Sequence, residues 1–180
     1  MSFKTLPNLI VIGGMKCGST SLHDYLNKHP EIFMSEIKEL DFFIEDRNYS
    51  KGLEWYKNQF DNKYKINGES SQNYTKRHFF PRVIDKIEND LDENCKFIFI
   101  ARDPLKRFVS HIKESLSNGT LNYDYNTYFS KVKIEENYHV LCSMYYYQLK
   151  PYYDKFGEDR IKIVTLEDLN KNPLKIMNEL

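Results

Sequence analysis

Leu9-Ile10-Val11-Ile12, followed by Gly13-Gly14-Met15-Lys16-Cys17-Gly18-Ser19-Thr20, is the stretch that decides the fold. Four apolar residues in a row are too few for a helix and read as a strand buried on both faces. The glycines then turn the chain. Leu22, Tyr25 and Leu26 space as one face of a helix, which His29-Pro30 ends. Strand, glycine loop and helix together form the context in which a phosphate-binding loop carries meaning. The ordinary nucleotide loop is G-x-x-x-x-G-K-S/T. Gly13 and Gly18 keep its glycine spacing and Thr20 keeps its hydroxyl. Ser19 stands at the lysine position, and the lysine lies inside the loop at Lys16.

A glycine turn into a helix N-terminus presents backbone N–H groups and the positive end of the helix dipole to an anion. Ser19, Thr20 and Ser21 add hydroxyl donors, and Lys16 can set its ammonium near a bridging or leaving oxygen. The anion cradle is kept while the oxygen within reach of the cation changes. The loop therefore reads as one for a sulfated nucleotide rather than for ATP. The plain alternative is that Gly13-Gly14 only turn the chain.

Further along, Ile66 to Glu69 reads as a short strand, and Val83, Ile84, Ile87 and Leu91 as one face of a helix. Phe97-Ile98-Phe99-Ile100-Ala101 is a second buried strand. Asp103 is a helix N-cap and Pro104 a first helical residue. Leu105, Phe108, Val109, Ile112 and Leu116 form an apolar face, and Asn118-Gly119 stops the helix. Residues 138–155 read as one aromatic helix, Ile161 to Leu166 as a third strand, and Asp168 to Leu180 as helical. Residues 31–65 read as irregular. Strands alternating with helices predict an α/β fold, a P-loop-containing three-layer sandwich with a central parallel sheet and helices on both faces. In such sheets ligands sit beyond the carboxyl ends of the strands, where the loop after Ile12 and the segment after Ala101 both lie.

That second segment, Arg102-Asp103-Pro104 with Arg107, Ser110 and His111, is a candidate phosphate site. Arg102 follows a strand end, and its guanidinium can hold a phosphate bidentately. Ser110, two turns into the helix, can add a hydroxyl. The competing reading pairs Arg102 with Asp103 and leaves Ser110 on the surface.

Together the two sites resemble the PAPS-dependent sulfotransferases, whose donor is 3′-phosphoadenosine 5′-phosphosulfate. Gly14-Met15-Lys16-Cys17-Gly18-Ser19-Thr20-Ser21-Leu22 resembles the family's 5′-phosphosulfate loop. Ile100-Ala101-Arg102-Asp103-Pro104 with Arg107 and Ser110 resembles its 3′-phosphate motif. Lys38-Glu39-Leu40-Asp41-Phe42-Phe43, Gly52-Leu53-Glu54-Trp55-Tyr56, Gly68-Glu69-Ser70-Ser71, Tyr138 and the Phe156-Gly157 to Pro173 segment follow in the expected order. They resemble most the heparan-sulfate-type enzymes and their bacterial relatives, which modify carbohydrates.

The resemblance implies that Lys16 meets charge on the oxygen leaving PAPS, and that Thr20 and the amides of Gly14, Cys17, Gly18, Ser19 and Ser21 hold the 5′-phosphate. It further implies that Arg102 and Ser110 hold the 3′-phosphate and that Glu39 is the catalytic base. A solvated Glu39 beside Glu36 and Lys38 is the competing reading; His23 and His29 are weaker acid–base candidates. Ser70 departs from the lysine that the heparan-type enzymes place there. The resemblance implies a basic, glycine-containing loop over the nucleotide, which would follow Leu180. The expectation is thus a single sulfotransferase-like domain, 1–180, without that loop. The alternatives are a non-catalytic nucleotide-binding remnant and a P-loop kinase or NTPase, although the strand ending at Ala101 leads into Arg102 rather than an acidic metal-holding residue.

The 180 residues carry 26 basic and 26 acidic side chains, so no bulk charge favours nucleic acid or an anionic membrane. Three cysteines, Cys17, Cys95 and Cys142, suit a reducing compartment rather than a disulfide framework, and no metal-ligand spacing occurs. The expectation is a cytoplasmic, metal-independent protein with no nucleic-acid or membrane partner. Its acceptor is a carbohydrate or small hydroxyl compound; Tyr123, Tyr125 and Tyr128 are candidates for a sugar-stacking wall, with core packing, the commoner role of aromatics at this density, as the competing reading.

Overall fold

Leu9–Gly13 (β1) is the central strand, and every one of its five residues is buried. In the computed structural model, which describes residues 5–122, 124–131, 133 and 137–180, β1 lies between Ile66–Ser70 (β3) and Lys96–Ala101 (β4). Ile32–Met34 (β2) and Ile161–Thr165 (β5) close the two sides, giving the order β2-β3-β1-β4-β5. Every pairing is parallel. Helices of this right-handed class must then cross over the sheet faces to return the chain.

Alternation along the strands builds two cores. Ile10, Ile12, Phe97 and Phe99 point to one face, against Val83, Ile84 and Ile87 of the helix Val83–Asp90 (α3) and Leu149, Tyr152 and Phe156 of Tyr145–Phe156 (α7). Leu9, Val11, Ile98 and Ile100 point to the other, against Leu22 and Leu26 of Ser19–Asn27 (α1) and Leu169 of Leu166–Lys171 (α8). The three-layer sandwich expected from the sequence is what the chain forms.

Three differences have local causes. Residues 31–65 are not irregular throughout: they hold β2 and the helix Gly52–Lys57 (α2), whose Tyr56 is fully buried and stacks on Phe42 with ring centroids 4.1 Å apart. Elements of three and six residues are too short for a periodic signal to show. Residues 138–155 form two helices, Tyr138–Leu141 (α6) and α7. The break places the Ser143 hydroxyl to accept from Arg107 Nε at 2.6 Å. The helix Pro104–Ser117 (α4) is capped as expected, the Asp103 side chain accepting from Lys106 N at 2.8 Å. Its buried face, however, is Arg107, His111, Ile112 and Ser115, while Leu105 and Val109 are exposed. A polar network, not an apolar stripe, docks α4. Tyr125–Lys131 (α5) and Pro173–Glu179 (α9) complete the helices named here; Asn172 caps α9, accepting from Lys175 N.

Candidate active site

The carboxyl ends of β3, β1 and β4 stand side by side; candidates follow β1 and β4, and Glu39, from the segment after β2, is tied to the end of β3. The loop after β1 requires glycine at two points. At Gly18, φ is +91°, and a Cβ would come within 2.5 Å of Leu166 Cδ1. At Gly13, a Cβ would come within 2.8 Å of the Phe99 ring and 2.9 Å of Thr75 Oγ1. Gly14 N donates to Ile100 O at 2.7 Å, fastening the loop to β4. Cys17 N donates back to Gly14 O at 3.1 Å, which spends that amide within the loop. The Cys17 thiol is buried against Tyr145 OH at 3.6 Å, and burial pushes its pKa up to about 11. It is a packing group rather than a nucleophile. Ser19 is buried at the start of α1, whereas Thr20 and Ser21 are exposed there.

Lys16 lies in the left-handed region at φ 63°. Its ammonium donates to Glu114 Oε1 of α4 at 2.8 Å. The pair ties the loop to α4. Ser110 is one turn before Glu114 on the same face of α4, so it shares the side of the helix that reaches Lys16. Arg102, just past the end of β4, donates from Nη1 to Lys16 O at 3.2 Å. Arg102, Lys16 and the Ser110 face of α4 thus gather at the loop mouth. Tyr145, at the start of α7, steadies Arg102 by donating to its carbonyl at 2.7 Å.

Arg107 points the other way. It is fully buried, donating to Ser143 Oγ at 2.6 Å, to Met15 O at 3.5 Å and to His139 O, with His111 Nδ1 3.1 Å from Nη1. It braces the loop from behind. Burial, with His139 and Arg107 adjacent, drives the His111 pKa down to about 2, so the imidazole is neutral. His139 is likewise lowered by burial, and it is held between Ser115 Oγ at 3.0 Å and Tyr128 OH at 2.9 Å. Tyr128 is therefore inside this network rather than on a sugar-binding wall. Tyr125 is exposed, and Tyr123 lies outside the described residues.

On the opposite side, Glu39 also has a positive φ, 59°. Glu39 N donates to Ser70 O at 2.8 Å, and Gln72 N donates to Glu39 Oε2 at 2.9 Å, which ties Glu39 to the end of β3. Lys38 pairs with its other oxygen. Among the described residues, Lys16, Glu39 and Asp41 are the non-glycines at positive φ. Backbone held in that region gathers at functional sites. His23 of α1 bridges the two sides, its Nδ1 2.8 Å from Ser70 Oγ, and burial and the charge of Lys38 lower its pKa. His29 is at the exposed end of α1, where its Nδ1 accepts from Glu31 N. Among the described residues no group of three or more His, Cys, Asp or Glu side chains is placed to hold a metal ion. No helix there is long and apolar enough to cross a membrane.

Sequence reading missed Glu114, Tyr145 and the inward aim of Arg107. Each lies on a helix far along the chain from the loop it touches, and no local pattern marks that contact.

The sulfotransferase domain family matches residues 6–180. The chain belongs to the sulfotransferase family. A crystal structure of a sulfotransferase from Alicyclobacillus acidocaldarius superposes with a TM-score of 0.82 at 23% identity, covering 97% of this chain and 79% of that one, which shows the shared fold. Among curated sulfotransferases, human heparan sulfate glucosamine 3-O-sulfotransferase 5 is 29% identical over 92% of this chain and 47% of its own length. The membrane-associated sulfotransferase kil1 of Dictyostelium discoideum is 36% identical over 62% of this chain and 23% of its own length. The chain therefore spans less than half of either curated relative.

Proposed function

We propose that this sulfotransferase-family chain moves a sulfuryl group from PAPS to a hydroxyl or amine of an acceptor, with a carbohydrate as the acceptor class. One observation carries the reading. The loop that holds its lysine inside, at Lys16, is flanked on one carboxyl edge by Arg102 past β4 and by Glu39, which follows β2 and is tied to the end of β3. The residues fit the donor chemically. Loop amides and the exposed Thr20 and Ser21 suit a 5′-phosphate at a helix N-terminus. Arg102 and Ser110 suit a second phosphate, and Lys16 already holds a carboxylate there. The kinship with a heparan sulfate enzyme supports the carbohydrate class.

In the transfer, the acceptor oxygen attacks sulfur and its proton passes to Glu39. The new S–O bond forms as the bond from sulfur to the 5′-phosphate oxygen breaks, and Lys16 meets the charge left on that oxygen. Positioning and charge stabilisation supply most of the catalysis, as in phosphoryl transfer. The test is calorimetry with 3′-phosphoadenosine 5′-phosphate (PAP) against ADP. PAP should bind more tightly, and Arg102→Ala should erase at least tenfold of that preference, since a hydrogen bond to a charged group contributes about 1.5–3 kcal/mol. Equal binding of PAP and ADP would overturn the donor assignment and favour another P-loop function.

A further inference from the structure

Lys76 follows the short 3-10 turn Gln72–Thr75 after β3 and is only 7% exposed. A lysine can bury its stem while its ammonium stays within reach of water, and Lys76 Nζ is not one of the buried polar atoms left without a partner. Among the described residues none accepts from Lys76 Nζ; its one close partner is the face of the Tyr138 ring, 5.4 Å from the centroid. The neighbouring cations are engaged elsewhere: Lys16 with Glu114, Lys38 with Glu39 and Arg47 with Asp41. Lys76 Nζ thus has no hydrogen-bond acceptor and no ion-pair partner among the described residues.

Its place is defined from two directions. Thr75, the residue before it, packs its hydroxyl where a Gly13 Cβ would stand, so the turn abuts the first glycine of the loop. Tyr138, whose ring Lys76 faces, donates its hydroxyl to Met15 Sδ at 3.3 Å, inside the loop. On the other side the turn that leads to Lys76 donates from Gln72 N to Glu39 Oε2 at 2.9 Å and from Asn73 Nδ2 to Asp41 Oδ2 at 2.8 Å. Lys76 therefore sits between the phosphate loop and Glu39, the interval that a group leaving a loop-bound donor for an acceptor must cross.

We propose that the ammonium of Lys76 binds the transferred sulfuryl group, holding its non-bridging oxygens while the bond to the 5′-phosphate breaks and the bond to the acceptor forms. The inference rests on the PAPS reading above. It separates Lys76 from Lys16: Lys16 serves the phosphate side of the breaking bond, and Lys76 serves the sulfur side. Because no described residue pairs with the ammonium, the binding energy is available to an anion without an ion pair among them having to break first.

The donor itself provides the test, because PAPS carries the sulfuryl group and PAP does not. Binding of both to the full chain is measured by calorimetry for the wild type, Lys76→Met and Lys76→Arg. Methionine keeps the volume and removes a charge that has no acceptor among the described residues, so the thermal transition should be little changed. Lys76→Met should weaken PAPS about tenfold, as loss of a charge-assisted contact does, while PAP stays within twofold. Lys76→Arg should recover part of the loss. Equal weakening of PAPS and PAP, or no weakening of either, overturns the proposal and leaves Lys76 a structural residue. If the wild type fails to prefer PAP over ADP, the donor reading falls first and this inference falls with it.

Discussion

Glu69 offers a sharp test of how the site's strand end is built. The carboxylate is fully buried on β3, directly before Ser70 and Ser71. It accepts from Tyr74 OH at 2.8 Å and Ser71 Oγ at 2.6 Å, and from Tyr56 OH. Burial outweighs these three donors and raises its pKa from 4.5 to about 7. A folded value above the unfolded one means the stabilisation is complete below pH 4.5 and is lost as pH rises through about 7. A shift of that size corresponds to about 3 kcal/mol. Glu69→Gln keeps an oxygen for both tyrosines and has no proton to lose. Its unfolding free energy minus that of the wild type should therefore grow by about 3 kcal/mol between pH 4.5 and pH 8. Buried histidines with lowered pKa, His111 and His139 among them, push the other way below pH 6.5, but both proteins share them and they cancel in the difference. Urea unfolding at four pH values in this range measures it. A difference that stays flat with pH would refute the reasoning and mean that the three hydroxyls hold Glu69 ionised throughout.

Two further outcomes are expected. Glu114→Gln frees Lys16 from its ion pair and should tighten PAP binding by at most about fivefold, because a partly exposed pair contributes about 0.2–1 kcal/mol; calorimetry at low salt shows the gain, and it should shrink at high salt. For His111, the folded pKa of about 2 lies below the unfolded 6.5, so its contribution is present above pH 6.5 and is lost as pH falls below it. His111→Gln should flatten the acid limb of the unfolding free energy, whereas an unchanged limb would place the acid sensitivity elsewhere.

The loop was legible because everything it needs is local. Leu9 to Ile12 had to be a strand, Gly13 and Gly18 had to turn it, and Ser19 onward had to begin a helix. The strand at Phe97–Ala101 and the Asp103-Pro104 start of α4 were readable for the same reason. The docking of α4 was not. Its apolar residues Leu105 and Val109 face solvent, while Arg107, His111 and Ser115 face inward, because the space behind the loop is lined by carbonyls and hydroxyls. A periodic pattern scores apolarity and cannot register that a polar network has its partners waiting.

What the sequence determined by itself is the parallel α/β architecture and the strand–glycine loop–helix, since buried strand runs, caps and glycine turns act over a few residues. What only the tertiary structure decided is the electrostatic state of the site. Lys16 meets Glu114 across 98 residues, and the Lys76 ammonium faces the ring of Tyr138 with no acceptor among the described residues. Charges interact through space with a strength set by distance and burial. Both quantities exist only once the sheet has brought the ends of β3, β1 and β4 together.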